Sequence, residues 1–213
     1  MRAIIFAGGT ATRFDNIVKG FLSINSDTFI GKLIKQLKSL NVKPIYVLTG
    51  YHAEKFLDVP DIVLVNNPQF KTTDSAYALK NALDKIGFED TLMLDADLIV
   101  SDDLLPKLIS SYKGESISLV DLRTTDPEAM KLVIVNNRII KFSKDEGIGS
   151  EVCEIVDKEK LKKIYTDLDS IRWWGTGPNT KEFLIVEVNP DSKWIEVDTP
   201  QEYEMAKKMF DNS

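Results

Sequence analysis

The sequence predicts an α/β fold with a mixed, mostly parallel central sheet, formed as a single domain over residues 1–213. Three observations predict it. Short β-rich runs alternate with amphipathic helical stretches through the first half, and those runs are apolar on both faces, as strands covered by helices must be. Beyond about residue 115 the strands come closer together and include a hairpin signal, which brings antiparallel pairs into the sheet.

The elements follow in chain order. The first strand covers 3–6 and passes into the small-residue loop Ala7-Gly8-Gly9-Thr10-Ala11-Thr12-Arg13. Phe29, Ile30, Leu33, Ile34, Leu37 and Leu40 then keep helical spacing, and so do Ala76, Ala78, Leu79, Ala82, Leu83 and Ile86. Strands at 44–49, 62–65 and 92–94 separate or follow these helices, so right-handed βαβ units are the natural connection. Strands at 116–120, 130–135 and 138–142 come next, with Asn136-Asn137 as the hairpin turn because asparagine tolerates the left-handed backbone such turns require. A helix over 158–165 precedes strands at 183–188 and 194–197. The last helix runs over 201–210, with Thr199 as N-cap and Pro200 at the first helical position.

Composition narrows the function. The net charge of -6 and the lack of a Lys/Arg-dense tract argue against a protein that neutralises a nucleic-acid backbone. Cys153 and His52 are the only residues of their kinds, which excludes a disulfide framework and a Cys/His zinc cluster. His52 reads as a solvated loop histidine, with general-base chemistry as the alternative. No apolar stretch approaches the ~20 residues that span a bilayer, and the N-terminal apolar run passes too soon into glycines and an arginine to be a signal peptide. A cytoplasmic protein without a membrane partner is expected.

Chemistry concentrates at three places. In the loop after the first strand, glycine lets the backbone approach a phosphate and adopt positive φ at little cost, while Arg13 and Lys19 supply a bidentate fork and a mobile point charge. An ordinary tight βα turn is the alternative reading. Asp95 and Asp97, two apart in the run Leu92 to Val100, face the same way if the chain is extended there, at the strand end where open α/β sheets bind ligands. They suit Mg²⁺, which takes one or two carboxylates plus water and phosphate oxygens, or they cap the turn into a helix near Asp102. Asp198, at the end of Trp194-Ile195-Glu196-Val197-Asp198, is placed to join the same ion or to favour the N-terminus of the last helix.

These residues resemble the sugar-phosphate and alcohol-phosphate nucleotidyltransferases, whose Rossmann-like three-layer α/β sandwich is related to glycosyltransferase-A folds. The family pattern is an apolar strand, an Ala/Gly-Gly-x-Gly-x-Arg loop, Pro-Lys, a strand ending in Asp, and a late strand ending in Asp before a Thr-Pro helix start. Ala7 to Arg13 match the loop with Ala11 in place of the usual glycine, and Val18-Lys19 matches Pro-Lys without the proline. The resemblance implies Asp97 and Asp198 as Mg²⁺ ligands, Lys19 and Arg13 as catalytic cations, and Ala7, Gly8, Gly9, Thr10, Ala11 and Asp95 as nucleotide contacts. The stretch from Asn66 to Leu79 looks most like the small cytidylyltransferases that activate phosphocholine and related head groups, which implies Ser75 near the base, with Asp74 capping its helix or touching the base.

The implied reaction moves a nucleoside monophosphate, with CTP favoured as the NTP, onto a small phosphorylated or phosphonate acceptor and releases pyrophosphate. Positioning and charge neutralisation dominate such a transfer, so no protein nucleophile is required. Trp173 and Trp174, adjacent in a glycine-rich loop, either face an acceptor, where an aromatic face attracts a choline-like cation, or roof the core. Glu151 and Glu154 pair an amine or are solvated, and Glu196 is the remaining acceptor-side candidate. A monomer or homodimer is expected. Two other readings are a nucleotide-sugar glycosyltransferase using Asp95-Ala96-Asp97 and a non-catalytic nucleotide-sensing module on the same fold.

Overall fold

Strand β1 (Arg2–Ala7) is buried along nearly its whole length. It pairs in parallel with β4 (Ile45–Thr49) on one side and β6 (Thr91–Asp95) on the other, so it occupies the middle of a parallel block. We describe this chain from a computed structural model covering residues 1–9, 14, 17–123 and 130–211. Between β1 and β4 lie a short hairpin, β2 (Ser23–Ile24) with β3 (Asp27–Thr28), and helix α1 (Phe29–Ser39). The Thr28 hydroxyl accepts the Gly31 N–H and caps that helix. Strand β5 (Val63–Asn66) extends the block beyond β4. Burial on both faces, expected for this strand, does not hold: β5 is the sheet edge, and Val63 is 47% exposed.

Helix α2 (Ser75–Ile86) returns the chain to β6. After β6 come β7 (Leu98–Val100), α3 (Leu104–Ser111), β8 (Ile117–Asp121), β9 (Lys131–Val135), β10 (Arg138–Ser143), β11 (Ser150–Val156), α4 (Lys158–Tyr165), β12 (Phe183–Glu187), β13 (Trp194–Glu196) and α5 (Pro200–Phe210). Asn136 and Asn137 both take positive φ, 50° and 62°, between β9 and β10, the backbone that a two-residue hairpin needs. The central sheet has the order β5-β4-β1-β6-β11-β8-β12-β10-β9. Only β11 and β10 run against the other seven strands, so it is mixed and mostly parallel.

Helices cover both faces. Leu33 and Leu37 of α1 join Leu104 and Leu108 of α3 on one side, and Leu79 and Leu83 of α2 join Leu161 and Ile164 of α4 on the other. Arg2 is almost wholly buried, yet its guanidinium is satisfied: it donates to Thr91 Oγ1 at 2.9 Å and to the Ile86 and Gly87 carbonyls at 3.1 and 2.8 Å. Those carbonyls end α2, where a cation is favoured and acceptors lack helical partners. No described helix is long and apolar enough to cross a membrane.

A second, two-stranded sheet matters more for chemistry. Strand β13 pairs antiparallel with β7, Glu196 opposite Leu98, and the pair packs on α5, with Ile99 of β7 and Val197 just past β13 clustered with Ala206. This arm stands at the end of β6, above the carboxyl ends of the parallel strands.

Candidate active site

Lys19 begins a short 3₁₀ turn, Lys19–Phe21, whose Gly20 lies so near the turn after β6 that a Cβ there would meet Ala96 Cβ at 3.3 Å. Its Nζ donates to Asp198 Oδ1 at 2.6 Å and is also ion-paired with Asp97. Burial works to lower the pKa of the ammonium, but the two carboxylates outweigh it and hold the pKa above the usual lysine range.

The carboxylates converge by a different route from the one their spacing suggests. Strand β6 ends at Asp95, and Asp97 sits in the tight turn into β7, so extended geometry does not put the two acids together. The turn is fixed by Ala96 N–H donating to the Phe6 carbonyl at 2.9 Å. Asp198 likewise stands two residues beyond the end of β13. The Val197 N–H donates to the Asp97 carbonyl at 3.1 Å, which sets the two acid-bearing segments side by side. Neither acid is a helix cap: Asp103 holds the N-cap position of α3, and Thr199 with Glu202 forms a capping box on α5. Glu202 reaches further, accepting the Asp198 and Thr199 N–H groups at 2.8 and 2.7 Å. That contact fixes the Asp198 backbone.

Asp97, Glu196 and Asp198 each offer a carboxylate oxygen within 4.8 Å of the others. Three hard oxygen donors around one point fit a Mg²⁺-sized cation, with Lys19 supplying part of the neutralising charge. Glu196 therefore faces the acidic cluster. Desolvation pushes its carboxyl up, and the charges of Asp97, Asp95 and Asp198 push it further. Asp95 is pushed up to about 7, first by desolvation and then by Asp97.

Ala7, Gly8 and Gly9 line the same cleft as this cluster. Gly8 and Gly9 do not take positive φ, contrary to one reason expected for glycine here. A Cβ on Gly9 would meet nothing within 4 Å, so no neighbouring protein atom among the described residues requires glycine there and its backbone faces the open cleft. Beneath the loop, Gly50 approaches so closely that a Cβ would lie 2.5 Å from Phe70 Cβ and 3.0 Å from the Gly8 carbonyl oxygen. Thr10, Ala11 and Arg13 lie outside the described residues.

Asp74 holds the N-cap position of α2, but its side chain does not cap; it accepts from Arg172 Nε at 2.6 Å instead. Ser75 Oγ accepts the Trp174 N–H at 3.3 Å, and the Ala76 N–H donates to the Arg172 carbonyl at 3.0 Å. The loop 172–174 is thus tied to the start of α2. Trp174 lies parallel to Phe6 of β1, 6.1 Å between ring centroids, while Trp173 is 52% exposed. Both line the cleft.

The other flank is β11, a strand unforeseen from the sequence. A bulge between Glu151 and Cys153 inserts one extra residue against β8. Glu151 and Glu154, three apart, consequently face the same side of the sheet, the side of Met93 and Val120, and both line the cleft. Solvation, one of their expected states, does not describe Glu154, which is 7% exposed. Acids within the otherwise apolar run Val152, Cys153, Ile155, Val156 were the available signal. The cleft encloses about 1430 Å³, ample for a nucleotide and a small second substrate.

Comparison with known proteins matches residues 3–141 to the MobA-like NTP transferase domain. A 2-aminoethylphosphonate cytidylyltransferase from Lancefieldella rimae is 30% identical over 109 residues, which cover 47% of this chain and 44% of that protein, less than half of either. Among solved structures, a CTP:phosphocholine cytidylyltransferase from Streptococcus pneumoniae superposes with a TM-score of 0.77 at 21% identity, covering 98% of each chain. An inositol-1-phosphate CTP transferase from T. maritima gives 0.75 at 19% identity over 99% of this chain and 96% of that one. At such identity these two share the fold. With the family match covering β1, the loop after it and the turn that carries Asp97, the chain belongs to the MobA-like NTP transferase domain family.

Proposed function

We propose that this protein transfers CMP from CTP to a small acceptor bearing a phosphate or phosphonate, releasing pyrophosphate. The observation that carries the reading is Lys19, held by Asp97 and Asp198 at the ends of two segments that meet beside Gly8 and Gly9. An acceptor oxygen attacks the α-phosphorus in line, the bond from that phosphorus to the bridging oxygen breaks, and pyrophosphate departs with the electron pair. Charge builds on the equatorial and leaving oxygens, so fixed cations lower the barrier.

Each group takes a part in this reading. The backbone of Ala7 to Gly9, with Thr10, Ala11 and Arg13, holds the triphosphate; Asp74 and Ser75, at the start of α2, lie toward the base. Lys19 bridges donor and acceptor phosphates. Asp97 and Asp198, with Glu196 beside them, would hold Mg²⁺, whose role when bound is to neutralise phosphate oxygens. Asp95 orients the cluster from the end of β6. The Trp173 and Trp174 loop walls the space for the acceptor. CTP is favoured because the cytidylyltransferase from Lancefieldella rimae is a sequence relative.

The test is pyrophosphate release from each of CTP, ATP, GTP and UTP with Mg²⁺ and a panel of small phosphate and phosphonate acceptors. CTP is expected to be the best donor. Silence with all four nucleotides overturns the transfer reading.

A further inference from the structure

Glu151 Oε2 is buried and has no hydrogen-bond partner among the described residues. Such an oxygen is costly, because a carboxylate removed from water without a donor loses its solvation and gains nothing. Glu154, brought to the same face by the bulge, is nearly as starved: its one described hydrogen bond comes from Ser118 Oγ at 3.4 Å. Neither glutamate belongs to an ion pair among the described residues. Both line the cleft, on β11, which neighbours β6 and its Asp95.

We propose that Glu151 and Glu154 form the subsite for the ammonium group of the acceptor, and that the acceptor is a primary amine carrying its phosphate or phosphonate a short chain away. A primary ammonium brings three N–H donors and a positive charge to two carboxyl groups that are short of donors and have no cationic partner among the described residues. A trimethylammonium brings the charge with no donor, and would leave Glu151 Oε2 unpaired. Trp174 turns one ring face to Phe6, its contact with Ser75 being through the backbone N–H, and Trp173 is the more exposed ring, so the loop presents two rings side by side in sequence rather than a closed aromatic cage. Carboxyl groups therefore outweigh cation–π attraction here. Burial pushes both carboxyls up, so an arriving cation also restores the ionised form that binds it.

This subsite deepens the transfer reading and locates the acceptor by it, but it is measurable separately. Calorimetry in CTP and EDTA, where removal of Mg²⁺ prevents turnover during the titration, compares 2-aminoethyl phosphate, its N-trimethyl analogue and ethyl phosphate. The aminoethyl compound should bind about tenfold or more tightly than either of the others, the increment of a charged hydrogen bond. Glu151→Gln and Glu154→Gln, which keep shape and fold by circular dichroism, should each erase most of that advantage. Equal binding of the three compounds by the wild type, or no binding of any, overturns the subsite without recourse to a variant. Pyrophosphate release from the same compounds with Mg²⁺ keeps the two readings apart. Release with all three alike and equal binding retains transfer and removes the subsite; selective binding without release retains the subsite and removes transfer.

Discussion

In the proposed transfer the site turns on Lys19, and the surroundings of that residue say what its loss does. Its side chain is only 20% exposed, but its ammonium is spent on Asp97 and Asp198 rather than on the core, so Lys19→Ala should keep the fold while lowering turnover by orders of magnitude. Removing the ammonium also leaves Asp97 and Asp198 facing each other without a counter-charge among the described residues. Mg²⁺ should therefore raise the melting temperature of Lys19→Ala more than that of the wild type, since the metal then supplies the neutralising charge that Lys19 gave. An equal shift in the two proteins refutes this. Arg2 is the opposite case, a charge used for structure. Arg2→Met strips the donors from the Ile86 and Gly87 carbonyls and from Thr91, and chemical denaturation should show a loss of about 2–4 kcal/mol with activity per folded molecule retained. Asp97 and Asp198 were picked out in the sequence because acids stood out at the ends of apolar runs, and Lys19 because it follows the glycine loop; the structure brings the three together. Arg2 was not picked out, because an arginine beside the first strand gives no sign of which helix end it will reach.

At the scale of elements, what was legible followed period. Helices α1 and α2 lie where their apolar spacing put them, since a stripe every three or four residues survives any tertiary context that buries one face, and α4 and α5 also lie where they were expected. Strand β11 was missed because its bulge breaks the alternation that announces a strand and puts two glutamates on a covered face. Strand β7 was absorbed into the run that ends β6, so Asp95 and Asp97 looked like neighbours on one extended segment rather than the two sides of a turn. The last helix start was legible from Thr199-Pro200, but the second half of its cap was not. Glu202 serves α5 and the Asp198 backbone at once. Glu202→Ala should thus cost about 1 kcal/mol in stability by removing half of the capping box, and should weaken activity by more than that loss accounts for. Thermal melts and initial rates measured on the same preparation decide it; a variant with normal rates would show that Asp198 holds its place without the cap.

Across the whole molecule, the acids of the site ride on two structures joined by polar ties. Asp97 follows the central sheet directly, whereas Asp198 hangs from the β7–β13 arm. That arm is fastened to the rest by two buried or hydrogen-bonded carboxylates. Asp121, at the end of β8, accepts Trp194 Nε1 at 2.7 Å and the Arg123 guanidinium at 2.9 Å. Asp103, at the start of α3, accepts Ser101 Oγ at 2.6 Å, Asn189 Nδ2 at 3.0 Å and the Ser192 hydroxyl, gathering the segment that leads into β13. Its slight burial works to raise its pKa, but these three hydrogen bonds together hold it at about 2. A carboxylate held below its unfolded value of about 3.9 stabilises the fold fully above that pH and loses the contribution as pH falls toward the folded value. Because Asp103 is largely exposed, solvent screening reduces the effect, and Asp103→Ala should lower the melting temperature at pH 7 by about 2–4 °C, the equivalent of roughly 1 kcal/mol in a chain this size. The deficit relative to the wild type should hold steady from pH 7 to pH 5 and shrink to about half near pH 3, where the unfolded state binds a proton that the native carboxylate still refuses. Melts of both proteins across that range test the tie directly. A deficit that stays constant or grows on acidification would mean that Asp103 gathers the arm by shape alone and that its charge contributes nothing to holding Asp198 over the sheet.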